Sequence, residues 1–197
     1  MTTVKIWEKR YRSGGNSGAG SYGVLEEFKR NVINDLIEEN NIASVLDLGC
    51  GDGNQIKLLK LKKYTGFDIS KTIIKKCQNI YKNDKTKNFV HYNGLDIDNN
   101  YSSELGLSLD VLYHLMEEDM FFKYLKNLFT LSNKYIIIYS QNKNHGEIET
   151  NPNGHIKGRN FTDYVENTFK NWKLLKKIDQ KYPELSSADF YIYIKNG

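Results

Sequence analysis

The chemistry-bearing residues cluster where short apolar runs end. Val45-Leu46-Asp47-Leu48-Gly49-Cys50-Gly51-Asp52-Gly53-Asn54 places three glycines at alternate positions directly after such a run. Glycine is required where backbone turns sharply and a ligand comes to contact distance, and open α/β sheets bind ligands at the carboxyl ends of their strands. The segment therefore predicts a small-molecule site. A dinucleotide fingerprint is excluded by spacing: it wants GxGxxG, and counted from Gly49 the third glycine position is Asn54. A phosphate-binding Walker loop is excluded because no Gly-Lys-Ser/Thr follows. Asp68 closes the next apolar run, Tyr64 to Ser70, where a carboxylate can accept bonds from both hydroxyls of a ribose. Further on, Leu109 to Leu115 carries Tyr113 and His114. An imidazole with a reference pKa of about 6.5 can take a proton at neutral pH, which makes His114, with Tyr113 beside it, the candidate catalytic pair.

Other reactive residues point away from metals and disulfides. Cys50 and Cys77 form no CxxC and no cluster with histidine at metal-ligand spacing, so no metal site is predicted. His91 lies inside a strand-like run and reads as structural, while His145 and His155 flank a polar stretch and are second-rank candidates. Ser13 to Gly23 holds five of the fifteen glycines and follows Arg10 and Arg12. Its unhindered N–H groups, hydroxyls and adjacent guanidinium groups suit an anion. Arg12 directly precedes the Ser-Gly-Gly turn and is the expected anion clamp, on a segment expected to behave as a mobile lid.

The elements that must position these residues follow from periodicity. Val24, Leu25, Phe28, Val32, Ile33, Leu36 and Ile37 predict an amphipathic helix over Tyr22 to Glu39, with Ser21 as N-cap. Then come a strand over Ala43 to Leu48, a helix over Gln55 to Leu61, a strand over Tyr64 to Asp68, a helix over Thr72 to Tyr81 and a strand over Asn88 to Tyr92. Leu109 to His114 reads as a strand, Glu118 to Leu131 as a helix and Tyr135 to Ser140 as a strand. A helix near Thr162 to Phe169 and two strands, Trp172 to Gln180 and Phe190 to Lys195, close the chain. Strands this apolar, alternating with helices, imply a doubly wound, mostly parallel seven-stranded sheet covered on both faces. Two final strands without a crossover helix imply one antiparallel member.

In order, Asp47 with its three glycines, Asp68 after the second strand and Gly94-Leu95-Asp96-Ile97 after the third resemble the class I S-adenosylmethionine-dependent methyltransferases, over roughly residues 7–195. The resemblance implies that Asp47, Gly49, Cys50 and Gly51 cradle the methionine part of the cofactor and that Asp68 holds its ribose. It also implies that Asp96 reaches the adenine amino group between the apolar walls Ile69 and Ile97, and that Leu112 completes the methionine pocket. The start Trp7-Glu8-Lys9-Arg10-Tyr11 is shared by methyltransferases in which it covers the cofactor, which implicates Trp7 and Tyr11. The Asn/Asp-Pro-Pro-Tyr signature of amino-methylating nucleic-acid enzymes and the Asp-Asn-Asp metal set of catechol-type enzymes are missing. Residues 7–23 resemble a small subgroup associated with surface polysaccharide synthesis. That implies O-methylation of a small anionic or sugar precursor, a phosphoramidate group being one concrete case, with Arg12, Ser13, Tyr22, His145 and Arg159 as acceptor-binding residues. A nucleic-acid or protein methyltransferase is the alternative, and a catalytically idle cofactor-binding module a third reading.

Size and charge bound these readings. With 197 residues the chain is expected to be one domain, residues 1–23 serving as a covering entry segment. The net charge of +4 comes from 28 basic and 24 acidic residues, but Lys supplies 24 of the former and Arg only 4, with no basic block. A solvated lysine surface is favoured over a nucleic-acid footprint. A mean hydropathy of −0.61, the absence of any run of roughly 18 apolar residues and a start without a secretory core predict a cytoplasmic protein with no membrane insertion.

Overall fold

The computed structural model describes residues 2–144 and 156–196. Seven strands form one sheet: β1 (Ser44–Leu48), β2 (Lys63–Asp68), β3 (Lys87–His91), β4 (Ser103–Leu109), β5 (Ser132–Ser140), β6 (Trp172–Ile178) and β7 (Asp189–Lys195). Their spatial order is β3-β2-β1-β4-β5-β7-β6. The first five pair in parallel, and β7 runs antiparallel between β5 and β6. The order therefore reverses beside β1, and the crevice between the ends of β1 and β4 is the switch point where such sheets bind ligands.

Alternation along each strand feeds two cores. Val45, Leu105, Leu107 and Ile137 face one cluster, which α2 (Gly23–Glu39) and α3 (Lys71–Ile80) cover with Ile33, Leu36, Ile37, Ile73 and Ile74. Leu46, Leu48, Ile136 and Ile138 face the other, under α4 (Glu118–Leu131) and α5 (Phe161–Thr168). The buried Tyr124 hydroxyl lies 2.7 Å from both the Leu48 carbonyl oxygen and Ser108 Oγ, which fixes α4 against the ends of β1 and β4. No helix among the described residues is long and apolar enough to cross a membrane.

Three local expectations are corrected, and one helix is added to them. Residues 55–61 form turns instead of a helix: Lys57 and Leu59 N–H groups bond three residues back, to Asn54 and Ile56. The Asn34 side chain on α2 takes the Lys60 N–H at 3.0 Å, and seven residues after a glycine turn are too few to nucleate a helix against such competition. The fourth strand is Ser103–Leu109, which ends where the expected strand over Leu109–His114 begins and shares only Leu109 with it. Asp110 turns left-handed at φ 61°, and Leu112–His114 is a single turn of 3-10 helix. Ser21 does not cap α2: Tyr22 occupies that position, and Ser21 Oγ accepts from Gln55 Nε2 instead. Finally, residues 3–12 are a helix, α1 (Thr3–Arg12), whose only buried members are Thr3 and Tyr11. Its apolar stripe is short, Val4, Trp7 and Tyr11 at i, i+3 and i+7 in an otherwise polar segment, which is little for periodicity to single out.

Candidate active site

The floor of the site is main chain. Beyond β1 the chain folds back so that the N–H groups of Gly49 and Cys50 both reach the Phe67 carbonyl oxygen, at 2.7 and 2.9 Å. Gly49 and Gly51 take φ of 87° and 55°. A Cβ on Gly49 would lie 2.5 Å from Val111 Cγ2, and one on Gly51 would run into Ser17 Oγ and approach Tyr11 Oη to 3.2 Å. Both positions need glycine for conformation and for clearance. At the end of β2, Asp68 Oδ2 accepts from the Gly51 N–H at 3.1 Å and Oδ1 from the Ser70 N–H at 2.8 Å. Burial pushes its pKa up to about 6 against those bonds. Two of its roughly four acceptor sites are thus occupied by donors that aim it, which leaves capacity for ligand hydroxyls.

The roof is α1 and the segment after it, held at three places. The Thr3 N–H and Oγ1 bond to the two Glu117 carboxylate oxygens at 3.0 and 2.5 Å. Glu8 accepts from Ser70 Oγ at 2.6 Å and Thr72 Oγ1 at 2.7 Å at the start of α3. Burial raises the Glu8 pKa, but those bonds outweigh it and leave the carboxyl below its ordinary value. Asp52 in the glycine turn accepts from the Ser17 N–H at 2.9 Å and from the Tyr22 hydroxyl at 2.6 Å, while its own N–H donates to Ser17 Oγ at 2.9 Å. Burial likewise raises the Asp52 pKa, and the bonds from Tyr22, Ser17 and Asn54 bring it below normal.

Between floor and roof lies a cleft. Of the residues expected at the site, Trp7, Tyr11, Gly49, Cys50, Gly51, Asp68, Ile69 and His114 line it. The His114 ring meets Trp7 edge-on, 5.1 Å between centroids. The others lie elsewhere. Asp47 is buried beneath the turn, where Oδ2 accepts from the Tyr64 hydroxyl at 2.9 Å and Oδ1 has no partner among the described residues. Asp96 is exposed and pairs with Lys123 at 3.2 Å. Ile97 packs against the core under α4, and Leu112 is fully enclosed in it. The Tyr113 hydroxyl donates to Asp110 Oδ1 at 2.7 Å. Arg12 and Ser13 lie in a separate groove with Lys5 and Glu8, and Tyr22 is committed to Asp52. Arg159 donates to the Leu115 carbonyl oxygen at 2.8 Å and stacks 4.3 Å over Phe121, bracing the segment after His114. His145, like His155, lies outside the described residues.

Thr3, Ser17, Ser21, Gln55, Tyr92 and Asp110 also line the cleft. Tyr92 had a signal in register: its N–H bonds to the Asp68 carbonyl oxygen, so it follows β3 as Ile69 follows β2. Beside the cleft and sharing Trp7, Ser17 and His114 with it, an alcove is lined by Ile6, Arg10, Gly18 and Ala19. Arg10, whose Nε donates to the Asn16 carbonyl oxygen at 2.6 Å, takes the place expected of Arg12.

A doubly wound sheet with one antiparallel strand, a left-handed glycine turn after β1 and a buried carboxylate after β2 define the class I methyltransferase architecture. A family model described as a methyltransferase domain matches residues 39–184, and the chain belongs to that family: it is an S-adenosylmethionine-dependent methyltransferase. A search of curated proteins finds no match. Among solved structures, the N-methyltransferase NodS from Bradyrhizobium japonicum WM9 with S-adenosyl-L-homocysteine is similar at a TM-score of 0.77 and 12% identity, covering 100% of this chain and 99% of that one. Magnesium protoporphyrin IX methyltransferase from Synechocystis PCC 6803 is similar at 0.70 and 15%, with 95% and 94% covered. The methyltransferase domain of a bacterial Hen1 is similar at 0.68 and 18%, with 86% and 97% covered. These likenesses are of fold.

Proposed function

We propose that this enzyme O-methylates a small anionic or sugar acceptor, a precursor of a surface polysaccharide made in the cytoplasm, with methylation of a phosphoramidate group as the concrete case. The carrying observation is the roofed cleft. The cleft is lined from below by Gly49, Gly51 and Asp68 and from above by Trp7 and Tyr11, and a donor and an acceptor must share that enclosed space. A small acceptor fits that space, whereas a protein or nucleic acid would need the roof removed. The Arg10 guanidinium in the adjoining alcove supplies the cationic character that an anion needs. In this reading residues 1–197 are one methyltransferase domain, with residues 1–23 as its cover.

When bound, S-adenosylmethionine supplies a methyl group on a sulfonium. Asp68 would accept hydrogen bonds from the ribose, the Gly49–Gly51 backbone would hold the methionine part, and Ile69 and Tyr92 would supply apolar walls for the base. Trp7 and Tyr11 on the roof exclude water, which would otherwise compete and screen. His114 takes the acceptor's proton, and Arg10 orients the acceptor's anionic part.

The test is S-adenosylhomocysteine formation from a panel of phosphoramidate, phosphorylated sugars, oligonucleotides and peptides. His114→Ala should lower turnover on the active acceptor by roughly 10²–10⁴ with cofactor affinity unchanged. Arg10→Ala should raise the acceptor KM by about tenfold, and Arg12→Ala should leave it alone. Turnover confined to oligonucleotides or peptides, or an unaltered Arg10→Ala enzyme, would sink the anionic small-molecule reading.

A further inference from the structure

The end of β4 carries a buried ion pair that cofactor binding does not require. Lys29 on α2 is 1% exposed; its Nζ lies 2.5 Å from Asp110 Oδ2 and 4.9 Å over the Tyr139 ring. The Tyr113 hydroxyl takes the other carboxylate oxygen at 2.7 Å. Asp110 sits at φ 61° with its N–H on the Tyr139 carbonyl oxygen at 3.0 Å, and it lines the cleft together with Gly49 and His114. On the roof side, a Cβ at Gly20 would lie 2.8 Å from Asp110 Oδ2, so the entry segment closes directly onto this carboxylate.

Stability alone does not account for the pair or for the left-handed backbone. Desolvating a lysine and a carboxylate costs about what their attraction returns, and an apolar pair of similar volume folds at least as well. A left-handed non-glycine residue costs more again and persists where the surroundings impose it for use. We propose that Asp110 receives the hydrogen of the acceptor's nucleophilic group and so aims its lone pair at the methyl position, with Lys29 and Tyr113 as the residues that position it. This rests on the reading of the cleft as the methyl-transfer site and not on the acceptor's charge.

The acceptor-site count agrees. A carboxylate offers about four, and Lys29 and Tyr113 take one each, leaving oxygen surface toward the cleft. Lys29 also solves an electrostatic problem. Positive charge disperses during methyl transfer, so an uncompensated carboxylate nearby would favour the bound donor over the transition state. The ammonium cancels that field and leaves the hydrogen-bonding capacity. The acceptor oxygen then forms the bond to the methyl carbon as the carbon–sulfur pair returns to sulfur, and the one hydrogen that this oxygen shared with Asp110 passes on to the His114 imidazole. The acceptor must therefore arrive bearing hydrogen on the reacting atom, which favours a sugar hydroxyl over the ionised oxygen of a phosphoramidate.

Sinefungin tests this without the acceptor, because it places an amine at the methyl position where S-adenosylhomocysteine has no donor. By calorimetry the wild-type enzyme should bind sinefungin about tenfold more tightly than S-adenosylhomocysteine, through a charge-assisted hydrogen bond. Asp110→Asn, a residue that also tolerates left-handed backbone, should lose most of that ratio while S-adenosylhomocysteine affinity holds. Because it strands Lys29, the double variant Lys29→Met with Asp110→Asn removes both charges and should show the same loss. With the acceptor found by the panel, kcat should fall about a hundredfold while the KM for the methyl donor stays put. A wild-type ratio near one, or an unchanged ratio in a folded variant, overturns the proposal. Failure of the anionic-acceptor reading would show instead in Arg10→Ala and leave this ratio untouched.

Discussion

The floor and the roof of the cleft are built on different principles. Gly49, Cys50 and Asp68 are fixed by main-chain bonds continuous with the sheet, from the Phe67 carbonyl oxygen and from the Gly51 and Ser70 N–H groups. The roof is fastened by three carboxylates, Glu117, Glu8 and Asp52, each meeting hydroxyls or N–H groups of another element. Disturbing the floor disturbs the strands, whereas releasing the roof costs a few side-chain bonds. A ligand enclosed between them is positioned by one and retained by the other.

The largest effect that would break this contrast belongs to the floor. Asp68→Ala should weaken S-adenosylmethionine binding at least about tenfold, since the hydrogen bonds lost are to a charged group. The wild-type affinity should itself decline as pH falls below about 6, where the free Asp68 takes up a proton and loses acceptor capacity. Calorimetry in buffers of different ionisation heat reads both, and unchanged affinity in the variant would remove Asp68 from the ribose.

A smaller and kinetic effect is expected from the roof. Asp52→Ala should speed cofactor release several-fold, on the order of 1 kcal/mol of lost hydrogen bonding, and raise hydrogen exchange over residues 13–23. The amides of Gly49 and Cys50 should stay protected. If both regions lose protection together, floor and roof form one cooperative unit and the distinction falls.

The smallest effect sharpens the floor's internal accounting. Asp47 is buried with one oxygen unpaired, and burial pushes its pKa up to about 7, from 3.8 for a free side chain. A carboxyl whose folded pKa is raised stabilises the fold least above that value, where its charge is buried, and the penalty shrinks as pH falls toward 3.8. Asp47→Asn should therefore raise Tm more at pH 8 than at pH 5. Equal shifts at both pH values would mean that Asp47 does not titrate in this range.

Sequence reading found the floor and missed most of the roof, for a physical reason. Glycines with left-handed backbone and an acid at the end of a strand are local signals, and Gly49, Gly51 and Asp68 are where such signals lead. The roof's anchors join Thr3 to Glu117 and Glu8 to Ser70, which no local pattern records, and the stripe of α1 is only Val4, Trp7 and Tyr11 in a polar segment. At Leu109–Leu115 the apolar run continues past the strand's true end, so periodicity could not register that Asp110 turns the chain. The expectation for Asp96 followed its place after the third strand. There Gly94 at φ 83° and the Asn93 side chain, which accepts from the Leu95 N–H, carry Asp96 outward.

The position of α1 in the chain also orders its assembly. It precedes every element it touches, and Thr3 waits for a partner 114 residues later. Ten residues are too few for a stable isolated helix in water. During synthesis this segment therefore emerges early and docks late, after α3 and the segment behind β4 have formed. The floor of the cleft must therefore exist before its roof can close on it.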